Sequence, residues 1–268
     1  MSADLYAEAT LPSDVASSLR QLLAAGSFVR SEVTGWAAAS ETGTGRRENQ
    51  DAWGQRNGTF VVADGMGGRP GGSTAATVAV AAALDAFDDV EVLHPLDWSA
   101  RLAAVNDSVI LAARRAGHQG AGAALAVVRC LDGRVVASHL GDVRIYRLRQ
   151  GETQLLTRDH NVASELNAAG RDPNTLEAAR GKTAALTSFV GAPAAWQRHS
   201  LRVIDARPDD ILVMCTDGVH RRLERHDWEV ARTAADSQVL VDQLLQRAVA
   251  AGSSDDRTAL AIRIGALR

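Results

Sequence analysis

A set of aspartates placed directly after strand-like apolar runs is the sharpest chemical feature of this chain. Phe60-Val61-Val62-Ala63 leads into Asp64-Gly65-Met66-Gly67-Gly68, and the run Ile211–Thr216 leads into Asp217-Gly218. His139-Leu140-Gly141 precedes Asp142, Ser253-Ser254 precedes Asp255-Asp256, and Asp51 ends the string Arg46-Arg47-Glu48-Asn49-Gln50-Asp51. A lone Asp-Gly is more often a turn than a site, as Asp132-Gly133 is here. Asp64 and Asp217 differ, because an apolar strand would fix each carboxylate at a sheet end and partly desolvate it. Converging buried carboxylates are costly without cations between them. The glycine after Asp64 also lets a main-chain carbonyl approach a ligand closely.

The candidate ligands are all oxygen donors, with no Cys/His cluster at metal spacing. Oxygen donors suit hard ions, which favours Mg²⁺ or Mn²⁺ over Zn²⁺. Two such ions can activate a water between them and clamp a phosphoryl group in line. Arg46 is then the natural phosphate fork, since guanidinium binds phosphate oxygens bidentately. His139, His160 and His220 lie near these segments, but a histidine beside a strand is more often structural than a proton donor. The glycine-rich stretch Gly67–Thr74 mimics a P-loop, yet Ser73 stands where that motif needs lysine, so an NTPase is rejected. No Gly-x-Ser-x-Gly elbow supports a serine hydrolase.

The elements that must hold these residues are mixed. Strand-like runs cover Gly35–Ser40, Thr59–Ala63, Ala123–Cys130, Arg134–Leu140, Val143–Arg149, His199–Ile204, Ile211–Thr216 and Thr258–Ile264. Asp132-Gly133 and Gln150-Gly151 read as hairpin turns. Helical periodicity covers Ser73 to Phe87, Trp98 to Ala116 and Trp228 to Ala250. Strands in hairpin groups with helices segregated between them predict an α+β layered sandwich, not a doubly wound parallel sheet. Residues 1–33 read as an appendage with a short amphipathic helix capped by Ser13 or Asp14. Residues 34–268 form the main domain, within which the weakly periodic segment 158–197 reads as a flap carrying Lys182, the only lysine.

With 268 residues, 46% of them hydrophobic, the chain has ample material for a core, which excludes bulk disorder. The 29 basic and 32 acidic side chains give a formal charge of −3, which leaves no basic footprint for nucleic acid. Cys130 and Cys215 sit in apolar runs and read as reduced, buried thiols. No apolar stretch is long enough to span a membrane, and the acidic start lacks a signal-peptide core. The expected location is the cytoplasm.

The ordered set GRRENQDAWG, FVVADGMGG, GDVRIYRLRQGE, LLTRDHN, LTSFVG, DDILVMCTDGV and SSDDRTALAIRI resembles the metal-dependent protein phosphatases of the PPM (type 2C) family, most closely its bacterial branch. The resemblance runs from about residue 33 to the C-terminus. It implies a four-layer αββα sandwich with a two-metal site at one end of two antiparallel sheets. It also implies protein-serine/threonine phosphatase activity with two Mn²⁺ or Mg²⁺ ions and a third in some members. Phosphorylated proteins, among them a Ser/Thr kinase and its targets, are the implied partners. By the same resemblance Asp64 bridges both metals, Gly65 gives its carbonyl to the second, and Asp217 and Asp255 complete the first. Asp51 and Gln50 match groups that hold water around the metals, Asp142 matches a third-metal ligand, and Arg46 matches the phosphate-binding arginine. The chain departs from the family pattern at several points. Met66 replaces a histidine of animal members, Asp256 a usual asparagine, Ala123 and Ala124 two threonines, and Val143 a common serine. The flap lacks a frequent His-Pro. A pseudophosphatase that reads phosphoproteins without turnover is the alternative.

Overall fold

Ten strands pair into two five-stranded antiparallel sheets, and the computed structural model describes residues 31–66, 71–88, 95–131, 134–172, 183–193, 199–231 and 233–266. In chain order the elements are β1 (Ser31–Glu41), β2 (Asp51–Arg56), β3 (Thr59–Met66), α1 (Gly71–Ala86), α2 (Pro95–Arg115), β4 (Gly122–Leu131), β5 (Arg134–Leu140), β6 (Arg144–Arg149), β7 (Glu152–Leu155) and α3 (Val162–Ala168). They continue with β8 (Ser200–Ile204), β9 (Ile211–Cys215), α4 (Asp217–His220), α5 (Arg225–Ala231), α6 (Ser237–Ala250) and β10 (Arg257–Ala266). One sheet has the order β1-β10-β9-β6-β7 and the other β2-β3-β4-β5-β8. The appendage helix, the Gly67-Gly68 pair, the Asp132-Gly133 turn and Lys182 lie outside the described residues.

The period-two alternation of the strands explains the layers, because both strand faces are apolar. Phe60 and Val62 point inward with Leu212, Met214, Leu260 and Ile262 and fill the space between the sheets. Val61 and Ala63 point outward under α1 and α2, against Ala75, Ala79, Val105 and Val109. Val213 and Cys215 point outward from the other sheet under α5 and α6, against Trp228, Leu240 and Leu244. These are the four layers of the expected αββα sandwich. The small residues of α1 let it sit close: a Cβ on Gly54 of β2 would come within 2.7 Å of Leu84 and 2.8 Å of Val80.

Local structure departs from the sequence expectation in three places. The helix expected over Trp228–Ala250 is two helices, because Asp236 caps α6 by accepting a hydrogen bond from the Val239 amide at 2.9 Å. Two strands, β2 and β7, escaped the strand reading, β7 because its short run is too polar to alternate. The Gln150-Gly151 turn is present, with φ of 45° and 89°, and joins β6 to β7. Within the described part of the flap, α3 is capped by Asn161, and Val190 pairs with Ala123 of β4.

Candidate metal centre

Antiparallel pairing brings the aspartates to one end of the sandwich. β3 and β9 run out towards that end, β3 carrying Asp64 near its end and β9 ending two residues before Asp217, while β2, β6 and β10 start there, at or next to Asp51, Asp142 and Asp255. Asp51 lies opposite Asp64 in the β2–β3 register. Asp64 continues the inward series Phe60 and Val62, so the apolar inter-sheet layer ends in carboxylates. The facing sheet ends in hydroxyls. Thr216 and Thr258 donate to Asp51 Oδ2 at 2.8 and 2.7 Å, and the Thr258 amide donates to Thr216 Oγ1 at 3.0 Å. These threonines tie the two sheets together at the site, and the sequence reading had passed over them.

The charge is concentrated. Burial pushes the Asp64 carboxyl well above the usual carboxylate range, and Asp51, Asp217, Asp142 and Asp255 push it further. Burial raises Asp51 to about 7, against the lowering effect of the Thr258 and Thr216 hydroxyls. Burial and Asp217 raise Asp142 to about 6 although Arg221 opposes them. Asp217 is raised by burial, again against Arg221. Among the described residues no three carboxylate, imidazole or thiol groups already close on one point, and two arginines stand between the acids. Arg46 pairs with Asp255. Arg221 pairs with Asp217 at 2.7 Å and with Asp142 at 2.9 Å.

The backbone around Asp64 is shaped for close approach. A side chain at Gly65 would collide with the Gly72 carbonyl and lie 2.6 Å from the Gln50 carbonyl, which already accepts the Gly65 amide at 3.0 Å. Gln50 Nε2 is buried without a hydrogen-bond partner. Oxygen-only donors, a side-chain-free Gly65 and raised carboxylates fit a pair of hard divalent ions held by Asp64, Gly65, Asp217 and Asp255. Arg46 and Gln50 line a cleft of about 440 Å³ together with Gly45, Arg47 and Glu48. Asp256, 3.5 Å from Arg46 and beside Asp255, also holds this loop. Its two oxygens accept the Gly43 and Gln50 amides at 2.8 and 2.9 Å.

The histidines are structural. His139 and His160 stack at 4.5 Å, and His160 bonds the Gly141 amide at 3.3 Å and Ser200 at 3.1 Å. Burial lowers His160 and His220 to about 3, so both are neutral. His220 donates through Nε2 to the Asp142 carbonyl at 2.9 Å. Cys215 is fully buried. Arg221 is the site residue that the sequence reading missed. Its signal was there, because a residue four positions after Asp217 shares a helical face with it.

The family model for protein phosphatase 2C matches residues 43–256. A putative protein phosphatase of Mycoplasma genitalium is 25% identical over 84% of this chain and 93% of its own length. The serine/threonine protein phosphatase PstP of Mycobacterium tuberculosis is 28% identical over 70% of this chain, which spans only 36% of PstP. Among solved structures, the PPM Ser-Thr phosphatase MsPP of Mycobacterium smegmatis, in complex with cacodylate, is 30% identical with a TM-score of 0.72, covering 87% of this chain and 99% of MsPP. The PstP catalytic domain, in complex with two manganese ions, is 25% identical with a TM-score of 0.73, covering 86% of this chain and 98% of that domain. Among the described residues no helix is long and apolar enough to cross a membrane.

Proposed function

Since this chain belongs to the protein phosphatase 2C (PPM) family of phosphoric monoester hydrolases, we propose that it removes phosphate from phosphoserine and phosphothreonine in proteins, using two Mn²⁺ or Mg²⁺ ions. Asp64, Gly65, Asp217 and Asp255 would hold the ions. The observation that carries this reading is the Asp64 carboxyl at the end of the inter-sheet layer, raised first by burial and then by Asp51, Asp217, Asp142 and Asp255 around it. When bound, the ions polarise the phosphoryl oxygens and make the attacking water reactive at neutral pH.

The side chains supply the rest. Arg46 sits on a cleft-lining loop, half exposed, where its fork can leave Asp255 for the equatorial oxygens of a phosphoryl group. Asp51 keeps Oδ2 engaged by two threonines and leaves Oδ1 to orient water beside Asp64. Gln50 presents its unpartnered Nε2 to the same space. Neither thiol suits a nucleophile's role, since burial raises both, Cys130 to about 12. The reading is direct attack by water, with no phosphoenzyme. Neutral, buried His160 and His220 do not protonate the leaving alkoxide, and Met66 offers no proton where animal members carry histidine. We take the unit read from the sequence as residues 34–268, extended to Ser31 where β1 begins, as the catalytic unit, 158–197 as its flap, and the cytoplasm as its location, with a Ser/Thr kinase and its targets as substrates.

The test is phosphate release from a phosphothreonine peptide with Mn²⁺, with chelator, and by Asp217→Asn. Release by the wild type with Mn²⁺ alone is expected, with the rate falling at least a hundredfold in the other two arms, since the ions carry the electrostatic stabilisation. Peptide binding without release in every arm would instead make the protein a pseudophosphatase.

A further inference from the structure

The acids expected to hold a third metal are already joined by a side chain. Arg221 reaches Asp142 Oδ2 through Nη2 at 2.9 Å and Asp217 Oδ2 through Nη1 at 2.7 Å. Asp142 is only 5% exposed, so its carboxylate needs a counter-charge at close range. The link is built into the chain. Asp217 opens α4 and Arg221 closes it, with the Arg221 amide bonded to the Asp217 carbonyl at 3.0 Å. The preceding residue, His220, fastens the same turn to the Asp142 carbonyl at 2.9 Å. Two consecutive side chains thus dock one helical turn on Asp142.

We propose that the guanidinium of Arg221 is the resident cation between Asp142 and Asp217, standing in for a third divalent ion, so that this protein binds two metals and not three. This inference rests on the two-ion reading of the main site. A divalent ion lodged between Asp142 and Asp217 would have to take the space of the guanidinium that spans Oδ2 of both, whereas the two main ions need only the other oxygen of Asp217. Arg46 is different in kind. It reaches Asp255 and, at 3.5 Å, Asp256 from a loop with no helical turn behind it. Arg221 is no less exposed, at 44%, but its two carboxylates lie at 2.7 and 2.9 Å and its backbone is fixed by the helical turn docked on Asp142.

The decisive experiment is Mn²⁺ stoichiometry by equilibrium dialysis up to millimolar free metal, a readout independent of turnover. The wild type should bind two ions per chain, and Asp142→Asn should leave that number unchanged. Arg221→Ala and the bulkier Arg221→Met should each gain a third ion, which Asp142→Asn in the same chain should remove. Three ions on the wild type, or no gain in either Arg221 variant, would overturn the inference while leaving the two-ion site intact. None or one on the wild type would overturn the two-ion reading itself.

Discussion

A carboxylate at a strand end becomes informative when its neighbours are also carboxylates and each is held by something else. Asp51 has its threonines, Asp142 and Asp217 have Arg221, and Asp255 has Arg46. Asp64 is held well above the usual carboxylate range by burial and by the neighbouring acids Asp51, Asp217, Asp142 and Asp255. Asp64 and Asp217 were legible in the sequence because each follows an apolar strand. Arg221, and the loop-holding role of Asp256, were not legible because both depend on what the chain folds against them. His160 gives a pH test outside the carboxylate cluster itself. His160 is held near 3 in the fold by burial and by stacked His139, against an ordinary value of 6.5. Between those values the unfolded chain binds more protons, so His160 favours the fold fully above pH 6.5 and loses that contribution as pH falls towards 3. Urea unfolding at pH 7 and pH 5 should show His160→Gln losing less stability on acidification than the wild type. An unchanged pH slope would show that His160 does not stay neutral.

At the scale of elements, the strands that carry ligands were readable and the loops that aim side chains were not. Continuous apolar runs in β3, β9 and β10 make both faces of each strand apolar, and the structure places one face between the sheets and the other under helices. The break between α5 and α6 was hidden because apolar periodicity continues across it, while a single cap residue decides it. The loop from Thr42 to Gln50, which carries Arg46, has no periodicity to read. It is held by Asp256, whose two oxygens take two of its amides. Asp256→Ala frees both amides and should cost about 2 kcal/mol of stability, the value of charge-assisted hydrogen bonds. It should also lower kcat/KM for phosphopeptide at least tenfold, with Mn²⁺ stoichiometry unchanged. Kinetics equal to the wild type would mean that the Arg46 loop holds its position without Asp256.

The whole molecule is a charge arrangement inside a four-layer frame. The formal charge of −3 hides a cluster of five aspartates at one end of the sheets, and two divalent ions would bring the chain to +1. Among the described residues, Arg46 and Arg221 are the cations paired with these five acids, which leaves the cluster under-compensated by folding alone. Ion binding is therefore coupled to stability, because the ions bind the folded cluster and not the unfolded chain. The most direct measurement is the melting temperature of wild type and Asp64→Asn with and without Mn²⁺. At a concentration 100-fold above Kd, each site adds about 2.7 kcal/mol, and each kcal/mol is worth about 2–4 °C for a domain of this size. The wild type should therefore rise by several degrees and Asp64→Asn should not. A wild type that Mn²⁺ leaves unmoved, or an equal rise in Asp64→Asn, would contradict a metal centre built on Asp64.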